Sequence, residues 1–145
     1  MKKEILIGAI LILALLGGVA LYNQQVSSAP EPTGSPVSEL LSGEPRELPI
    51  AGTVTMVDLG AHSCVPCKMM TPVLEQASMA YGDRAAIVFI DVWEHPDEVD
   101  KYRISAIPTQ IFYDDKGVER YRHEGFMSTE DLDAMLAQLG VDKGR

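Results

Sequence analysis

The chain has 145 residues, with 21 acidic and 12 basic side chains and a formal net charge of -9 at pH 7. This length fits a single domain. The acidic balance argues against nucleic-acid binding, because contact with phosphates needs a basic surface. We therefore expect no nucleic-acid partner.

An apolar run begins close to the N-terminus. Two lysines precede residues 5–21, which are all apolar or small, and this length lies at the low end of what crosses a bilayer. Residues 27–29 make a weak signal-peptidase site because Pro30 follows them, so we predict an uncleaved transmembrane anchor over residues 1–22 rather than a signal peptide. No basic residue follows the run until Arg46, which predicts a cytoplasmic N-terminus. The protein is therefore predicted to be a single-pass protein of the bacterial inner membrane, with a periplasmic or otherwise extracytoplasmic C-terminal domain.

The next stretch changes composition. Residues 23–47 are rich in Ser, Pro, Gly and Gln and contain few large apolar side chains. Such a segment buries too little apolar surface to offset the entropy lost on ordering. We predict a flexible linker here and a folded domain over residues 48–145.

The folded part opens on an apolar strand that ends at an acid. Residues 53–57 are mostly β-branched, as in a central strand that is buried on both faces. Asp58 interrupts this pattern. An acid at a strand end is usually a turn or capping residue, and the alternative is a buried carboxylate whose pKa is raised by desolvation. The residues alone leave both interpretations open.

Cys64 and Cys67 are the only cysteines of the chain and are separated by two residues. This spacing suits a redox-active pair or half of a metal site, but no second C-x-x-C or close histidine pair completes a zinc site. A helix that begins near Cys64 would offer it unpaired N–H groups and the positive end of the helix dipole, which stabilise a thiolate. Pro66 fits the first helical turn, where a missing N–H costs nothing. Cys67, one turn further, is placed to attack a mixed disulfide at Cys64.

Large side chains near the cysteines are interpreted as packing residues. Met69 and Met70 suit soft copper ligation, but their helical spacing favours a core position. Trp93 is the only tryptophan and lies outside the cysteine motif, so it is also assigned to packing.

Hydrophobic periodicity predicts the remaining elements. They are a helix to about residue 81, a strand over 85–92, a short helix over 96–102, a hairpin of 110–113 and 118–121, and a last helix from Ser128. This order predicts an α/β fold with a mixed sheet covered by helices.

Several of these segments resemble the thioredoxin family in the same order. They are Val57-Asp58-Leu59-Gly60-Ala61, Cys64-Val65-Pro66-Cys67-Lys68-Met69 with Pro72, Tyr102 to Thr109, and Gly125. The resemblance covers residue 48 to the C-terminus. It implies a thioredoxin fold with a redox-active Cys64–Cys67 disulfide, no metal and no cofactor. Cys64 then acts as the nucleophile, Cys67 as the resolving thiol and Asp58 as a buried acid that exchanges a proton with Cys67.

The resemblance also implies where substrate binds. Ile107 and Pro108 match the family's cis-proline segment, which faces the disulfide and leaves the backbone of Ile107 free to pair with an extended substrate. Val65 and Pro66 complete this predicted surface. They differ from the common Gly-Pro, and residues at these positions affect the redox poise.

The chain departs from the family at three positions around the cysteines. Gly60 and Ser63 stand where thioredoxins usually carry tryptophan, which predicts a smaller and less apolar rim. Phe89 stands where the family often has a lysine, so a buried Asp58 loses a cation and its pKa should move further upward.

We therefore expect a thiol-disulfide oxidoreductase of the cell envelope, a monomer that reduces protein disulfides. Disulfides persist in such compartments, so a reductant must itself be recharged, and the resemblance implies a transmembrane thiol electron donor. One alternative is an oxidant of the same fold, and another is a copper- or zinc-binding module that uses the cysteines with Met69 or His62. His62 is otherwise interpreted as an exposed loop residue; the alternative is a histidine that, when protonated, favours the Cys64 thiolate with its positive charge.

Overall fold

A computed structural model describes residues 40–143. Within them the elements follow the predicted order: strand β1 (Val54–Gly60), helix α1 (Val65–Tyr81), β2 (Ala85–Asp91), α2 (Asp97–Tyr102), β3 (Thr109–Tyr113), β4 (Glu119–Glu124) and α3 (Thr129–Gln138). The predicted anchor over residues 1–22 lies outside the described residues. Between residues 40 and 143 we find no helix with the length and apolar character that a bilayer crossing requires.

The four strands form one mixed sheet in the order β2-β1-β3-β4. β1 pairs in parallel with β2 and antiparallel with β3, and β4 pairs antiparallel with β3. All seven residues of β1 are buried, which confirms the prediction of a central strand. Because side chains alternate along a strand, Met56 and Asp58 point to one face of the sheet and Val57 and Leu59 to the other.

Helices cover both faces of the sheet. The face that carries Met56 is packed against α1 and α3 through an apolar cluster that includes Met70, Leu74, Leu132 and Leu136. A second cluster, with Val57, Leu59, Tyr102 and Ile104 among its members, fills the opposite face. The C-terminal end of β1 and the N-terminal end of α1 therefore lie at the rim of a well-packed core.

Residues 40–47 belong to the folded domain rather than to a linker. Leu40 and Leu41 pack against the two apolar clusters. Gly43 forms a parallel bridge with Ile90, and its carbonyl accepts the N–H of Asp91 at 2.9 Å. β2 is an edge strand, so its outer backbone groups are available for this pairing. Composition predicts a linker because the segment has few large apolar side chains, whereas the bridge between Gly43 and Ile90 is a backbone contact that composition does not reveal.

We expect Gly43→Ala to destabilise the domain. Gly43 has φ +89°, and an added Cβ would lie 3.1 Å from Nε2 of His62. A side chain at such a φ costs about 1–2 kcal/mol. Gly52→Ala is the control, since Gly52 has φ +74° but no heavy atom within 4 Å of an added Cβ. Urea unfolding of both variants measures the difference, and equal losses of stability would show that the contact of the added Cβ with His62 has no cost.

Candidate active site at the N-terminus of helix α1

The two cysteines lie at the N-terminal end of α1, directly after β1. Cys64 is the N-cap residue, with extended backbone angles, and its Sγ accepts the N–H of Cys67 at 3.3 Å. The first turn contains Pro66 and no acidic residue. An N–H aimed at Sγ and the positive end of the helix dipole both favour a thiolate at this sulfur. The predicted helix start is therefore confirmed.

Cys64 and Cys67 form a disulfide, with their Cα atoms 5.2 Å apart. Both residues are largely buried, whereas Val65 between them is 73% exposed and Pro66 is also exposed. Ile107 is half-buried and packs against the cluster formed by Ala61 and the two cysteines. The Ile107–Pro108 peptide bond is cis. The structure thus places Ile107 against the disulfide, with Pro108 next to it in the chain and Val65 and Pro66 between the two cysteines.

Asp58 is completely buried, on the face of the sheet that α1 covers. Its Oδ1 accepts a hydrogen bond of 2.6 Å from Nε2 of Gln110, and its Oδ2 has no hydrogen-bond partner within residues 40–143. Burial raises the pKa of Asp58 to about 7, against the opposing effect of the hydrogen bond from Gln110. The carboxyl group therefore changes its protonation state close to neutral pH.

Gly60 has no side chain and therefore leaves a small space that Asp58 and Cys67 both border. A Cβ added at Gly60 would lie 3.1 Å from the ring of Phe89, 3.3 Å from Cβ of Cys67 and 3.4 Å from Oδ2 of Asp58. These three groups therefore surround one small space beside the glycine. The unpaired oxygen of the carboxyl group faces the space that it shares with Cys67. A larger residue at this position would fill it.

Gln110 is the partner of Asp58 that the sequence did not reveal. The register of β1 sets Asp58 opposite Phe89 on β2 and opposite Gln110 on β3. An apolar ring on one side leaves the amide of Gln110 as the polar group that contacts the carboxyl group. The sequence signal was a glutamine directly before the apolar residues 111–113.

We expect Gln110→Met to raise the pKa of Asp58 above about 7. Methionine has a similar length but cannot donate the hydrogen bond that favours the ionised carboxylate. Carbon-13 NMR titration of the Asp58 carboxyl group measures the change. Thr109→Val is the control, because the Thr109 hydroxyl donates to the carbonyl of Ala106 instead. A pKa in Gln110→Met that stays at the wild-type value would contradict this role for the amide.

The carboxylate of Asp91 links two turns of the site by hydrogen bonds. Its Oδ2 accepts the backbone N–H of His62 at 2.7 Å, and its Oδ1 accepts the backbone N–H groups of Trp93 at 2.9 Å and Glu94 at 3.2 Å. Burial by itself would raise the pKa of Asp91, but these backbone hydrogen bonds outweigh it and lower the pKa. The carboxylate therefore fixes the turn before Cys64 relative to the turn after β2. No local sequence pattern predicts this link to His62, because an acid at a strand end usually bonds only the turn that follows it.

Two packing assignments are wrong. Trp93 is 61% exposed, and Met69 is 49% exposed, whereas Met70 is fully buried. Trp93 lies on the turn between β2 and α2. Met69 falls one residue away from the buried stripe of α1. His62, in contrast, has a side chain that is 56% exposed, as predicted.

Comparisons with known proteins agree with this geometry. The thioredoxin family model matches residues 47–138. Thioredoxin from Staphylococcus aureus is 40% identical over 83 residues, which are 57% of this chain and 79% of the relative. A chloroplastic thioredoxin z structure is 30% identical with a TM-score of 0.57, over 61% of this chain and 80% of the other. A Nicotiana alata thioredoxin structure is 32% identical with a TM-score of 0.54, over 60% of this chain and 73% of the other.

The match of sequence, fold and cysteine pair covers the region that holds the disulfide, and it confirms the mixed sheet flanked by helices as a thioredoxin fold. Thioredoxins exchange electrons between dithiols and disulfides, which is the chemistry that a Cys-x-x-Cys pair at a helix N-terminus supports. The chain belongs to the thioredoxin family and is a thiol-disulfide oxidoreductase.

Proposed function

We propose that this protein reduces disulfides of other proteins in the bacterial cell envelope. The observation that carries the proposal is the position of Cys64, whose Sγ receives a backbone N–H in a helical first turn without acidic residues. The Cys64 thiolate attacks a substrate disulfide, so a mixed disulfide forms and one substrate thiolate leaves. Cys67 then attacks Cys64 and releases the second substrate thiol. Two electrons pass to the substrate, and Cys64 and Cys67 become a disulfide.

Asp58 takes the proton of Cys67 in the second step. A thiol must lose its proton before it attacks a disulfide. The carboxyl group of Asp58 has an unpaired Oδ2 beside Cys67 and a pKa of about 7. A base is most effective when its pKa lies near the working pH. Asp58 therefore suits both the removal of this proton and its return in the reverse reaction.

Substrate binds as an extended segment along Ile107 and Pro108, with Val65 and Pro66 on the other side of the disulfide. Within residues 40–143 no hydrogen bond occupies the backbone N–H or C=O of Ile107. These groups can pair with a substrate backbone in the way that an added strand pairs with a sheet edge. The exposed side chain of Val65 lies next to the attacking sulfur.

The envelope location rests on the apolar run over residues 5–21 and the lysines before it. An uncleaved anchor over residues 1–22 would hold a monomeric domain outside the cytoplasm, where disulfides persist and a transmembrane thiol donor must restore the dithiol. Protease added to spheroplasts is expected to digest the C-terminal domain and to leave a cytoplasmic control protein intact. Protection of the domain under these conditions would contradict the location.

The reduction potential of the Cys64–Cys67 pair tests the reducing direction. Equilibration of the full-length protein with glutathione buffers measures the fraction of disulfide at each potential. A value near about -270 mV supports a reductant of the thioredoxin type. A value near about -120 mV would instead assign the protein to disulfide formation.

A further inference from the structure

A groove of about 310 Å³ lies beside Ile107, and its wall includes Val92, Trp93, Val99 and Ile104. Most of these side chains are apolar. Trp93 is the exposed large apolar residue of this wall, and 61% of its surface is open to solvent. Burial of an exposed tryptophan against a partner is a large favourable term, and tryptophan is enriched at the residues that dominate binding energy.

Ile107 connects this groove with the disulfide. On one side it packs against the cluster that contains Cys64 and Cys67, and on the other it packs against the apolar cluster that contains Val92 and Ile104. The groove and the disulfide are therefore separated by one side chain. A substrate segment that runs along Ile107 reaches both.

The Trp93 turn is fixed relative to the cysteine turn. The carboxylate of Asp91 accepts the backbone N–H of Trp93 and that of His62, two residues before Cys64. A shared buried acceptor keeps the two backbones in one arrangement, so the groove needs little ordering when substrate binds. Among the residues that line the groove, Trp93 is the aromatic one.

We propose that Trp93 and its groove bind a large apolar side chain of the substrate protein, in the same extended segment as the cysteine that Cys64 attacks. This inference rests on the proposed function and adds a preference among its substrates. Extended residues advance by about 3.3 Å each and alternate sides, so a residue about two positions from the substrate cysteine reaches across Ile107.

Two peptides test the proposal with the full-length protein in detergent. Each carries one cysteine as a mixed disulfide with glutathione, and they differ only in leucine or serine two residues from that cysteine. Wild-type protein is expected to reduce the leucine peptide with the higher kcat/KM. Trp93→Ala should lower kcat/KM for the leucine peptide about tenfold, the scale expected for burial of one such side chain. Reduction of the serine peptide and of oxidised glutathione should stay unchanged.

Two further variants separate binding at Trp93 from a general effect. Trp93→Phe should keep most of the preference for leucine, because it keeps an aromatic ring. Met79→Ala removes another exposed apolar side chain, one that is 72% exposed on α1, and should leave both peptides unaffected. Equal losses on the two peptides, or no loss on either, would overturn the groove assignment while the proposed function stands. Failure of wild-type protein to reduce any of these disulfides would overturn both.

The single tryptophan also reports binding directly. In the Cys67→Ala variant, attack of the Cys64 thiolate on the peptide sulfur expels glutathione as a thiolate and leaves the peptide joined to Cys64 by a disulfide. Trp93 is then the only source of tryptophan emission, because the chain has one tryptophan and the peptides have none. The attached leucine peptide should shift the emission to shorter wavelength, since it covers the ring with apolar surface. Identical spectra for the leucine and serine adducts would contradict contact with Trp93.

Discussion

Replacement of Cys64 with serine is expected to lower kcat/KM for protein disulfides by on the order of 10³-fold or more. A serine hydroxyl is not ionised near pH 7 and cannot form the mixed disulfide, so the first step is lost. Cys67→Ala has a different expected result. Cys64 still attacks, but no thiol resolves the adduct, and covalent complexes with substrates accumulate. Reductase assays and non-reducing gels of cell extracts measure the two effects.

The two variants control for one another, because each removes one sulfur of the same pair. The adducts of Cys67→Ala should be absent from the double variant that also carries Cys64→Ser. This result would identify Cys64 as the attacking residue. Accumulation of adducts in Cys64→Ser alone would reverse the assigned roles. A lack of adducts in both variants, recovered from intact cells, would argue against protein disulfides as substrates.

Asp58→Asn is expected to slow the release of substrate from Cys64 by roughly 10²-fold to 10⁴-fold at neutral pH, the usual contribution of a positioned base. The first attack by Cys64 should keep its rate, which makes it an internal control. In wild-type protein the release step should also change with pH around the Asp58 pKa of about 7, and this dependence should vanish in the variant. Single-turnover measurements follow both steps, and an unchanged release rate would exclude Asp58 as the base.

The same substitution is expected to stabilise the oxidised protein at high pH. Burial raises the pKa of Asp58 from 3.8 to about 7, so between these values the native state holds a proton that the unfolded state has lost. Stability therefore falls as pH rises through this window, and the full cost of the buried charge is present above it. Asparagine carries no charge but keeps an acceptor for Gln110. We expect a free energy of unfolding higher by a few kcal/mol at pH 8.5.

At pH 4, where the Asp58 carboxyl is protonated in the native state, the difference between Asp58→Asn and wild type should be small. Urea unfolding at the two pH values measures it. An equal difference at both values would mean that the carboxyl group does not become charged inside the protein. The ionised Asp58 carboxylate lowers the free energy of unfolding of the wild-type protein. This agrees with a role in proton transfer rather than in stability.

Local sequence patterns were sufficient for the helix start at Cys64, because an N-cap position depends on a few neighbouring residues. The same patterns do not decide whether Asp58 is a turn residue or a buried acid. The choice depends on the sheet register, which sets it opposite Phe89 and Gln110. Gln110 lies 52 residues away in sequence, so no local pattern links it to Asp58.

The other differences between prediction and structure also come from contacts between residues that are distant in sequence. Asp91 bonds the backbone of His62, 29 residues earlier, and residues 40–47 join the domain through a bridge to β2. The position of Trp93 outside the cysteine motif favours a packing role, and its exposure has no local sequence signal. Whether other parts of the domain cover a given turn is decided by tertiary structure, and the Trp93 side chain stays mostly exposed.

The rate of Cys64 alkylation as a function of pH tests the central claim most directly, since every step begins with a thiolate at the helix N-terminus. In the reduced full-length protein, iodoacetamide should modify Cys64 before Cys67, with a rate that is half-maximal clearly below pH 8. An ordinary cysteine reaches this point near about pH 8.5. If Cys64 reacts like an ordinary cysteine, or more slowly than Cys67, the start of α1 does not activate the sulfur and the assigned mechanism is wrong.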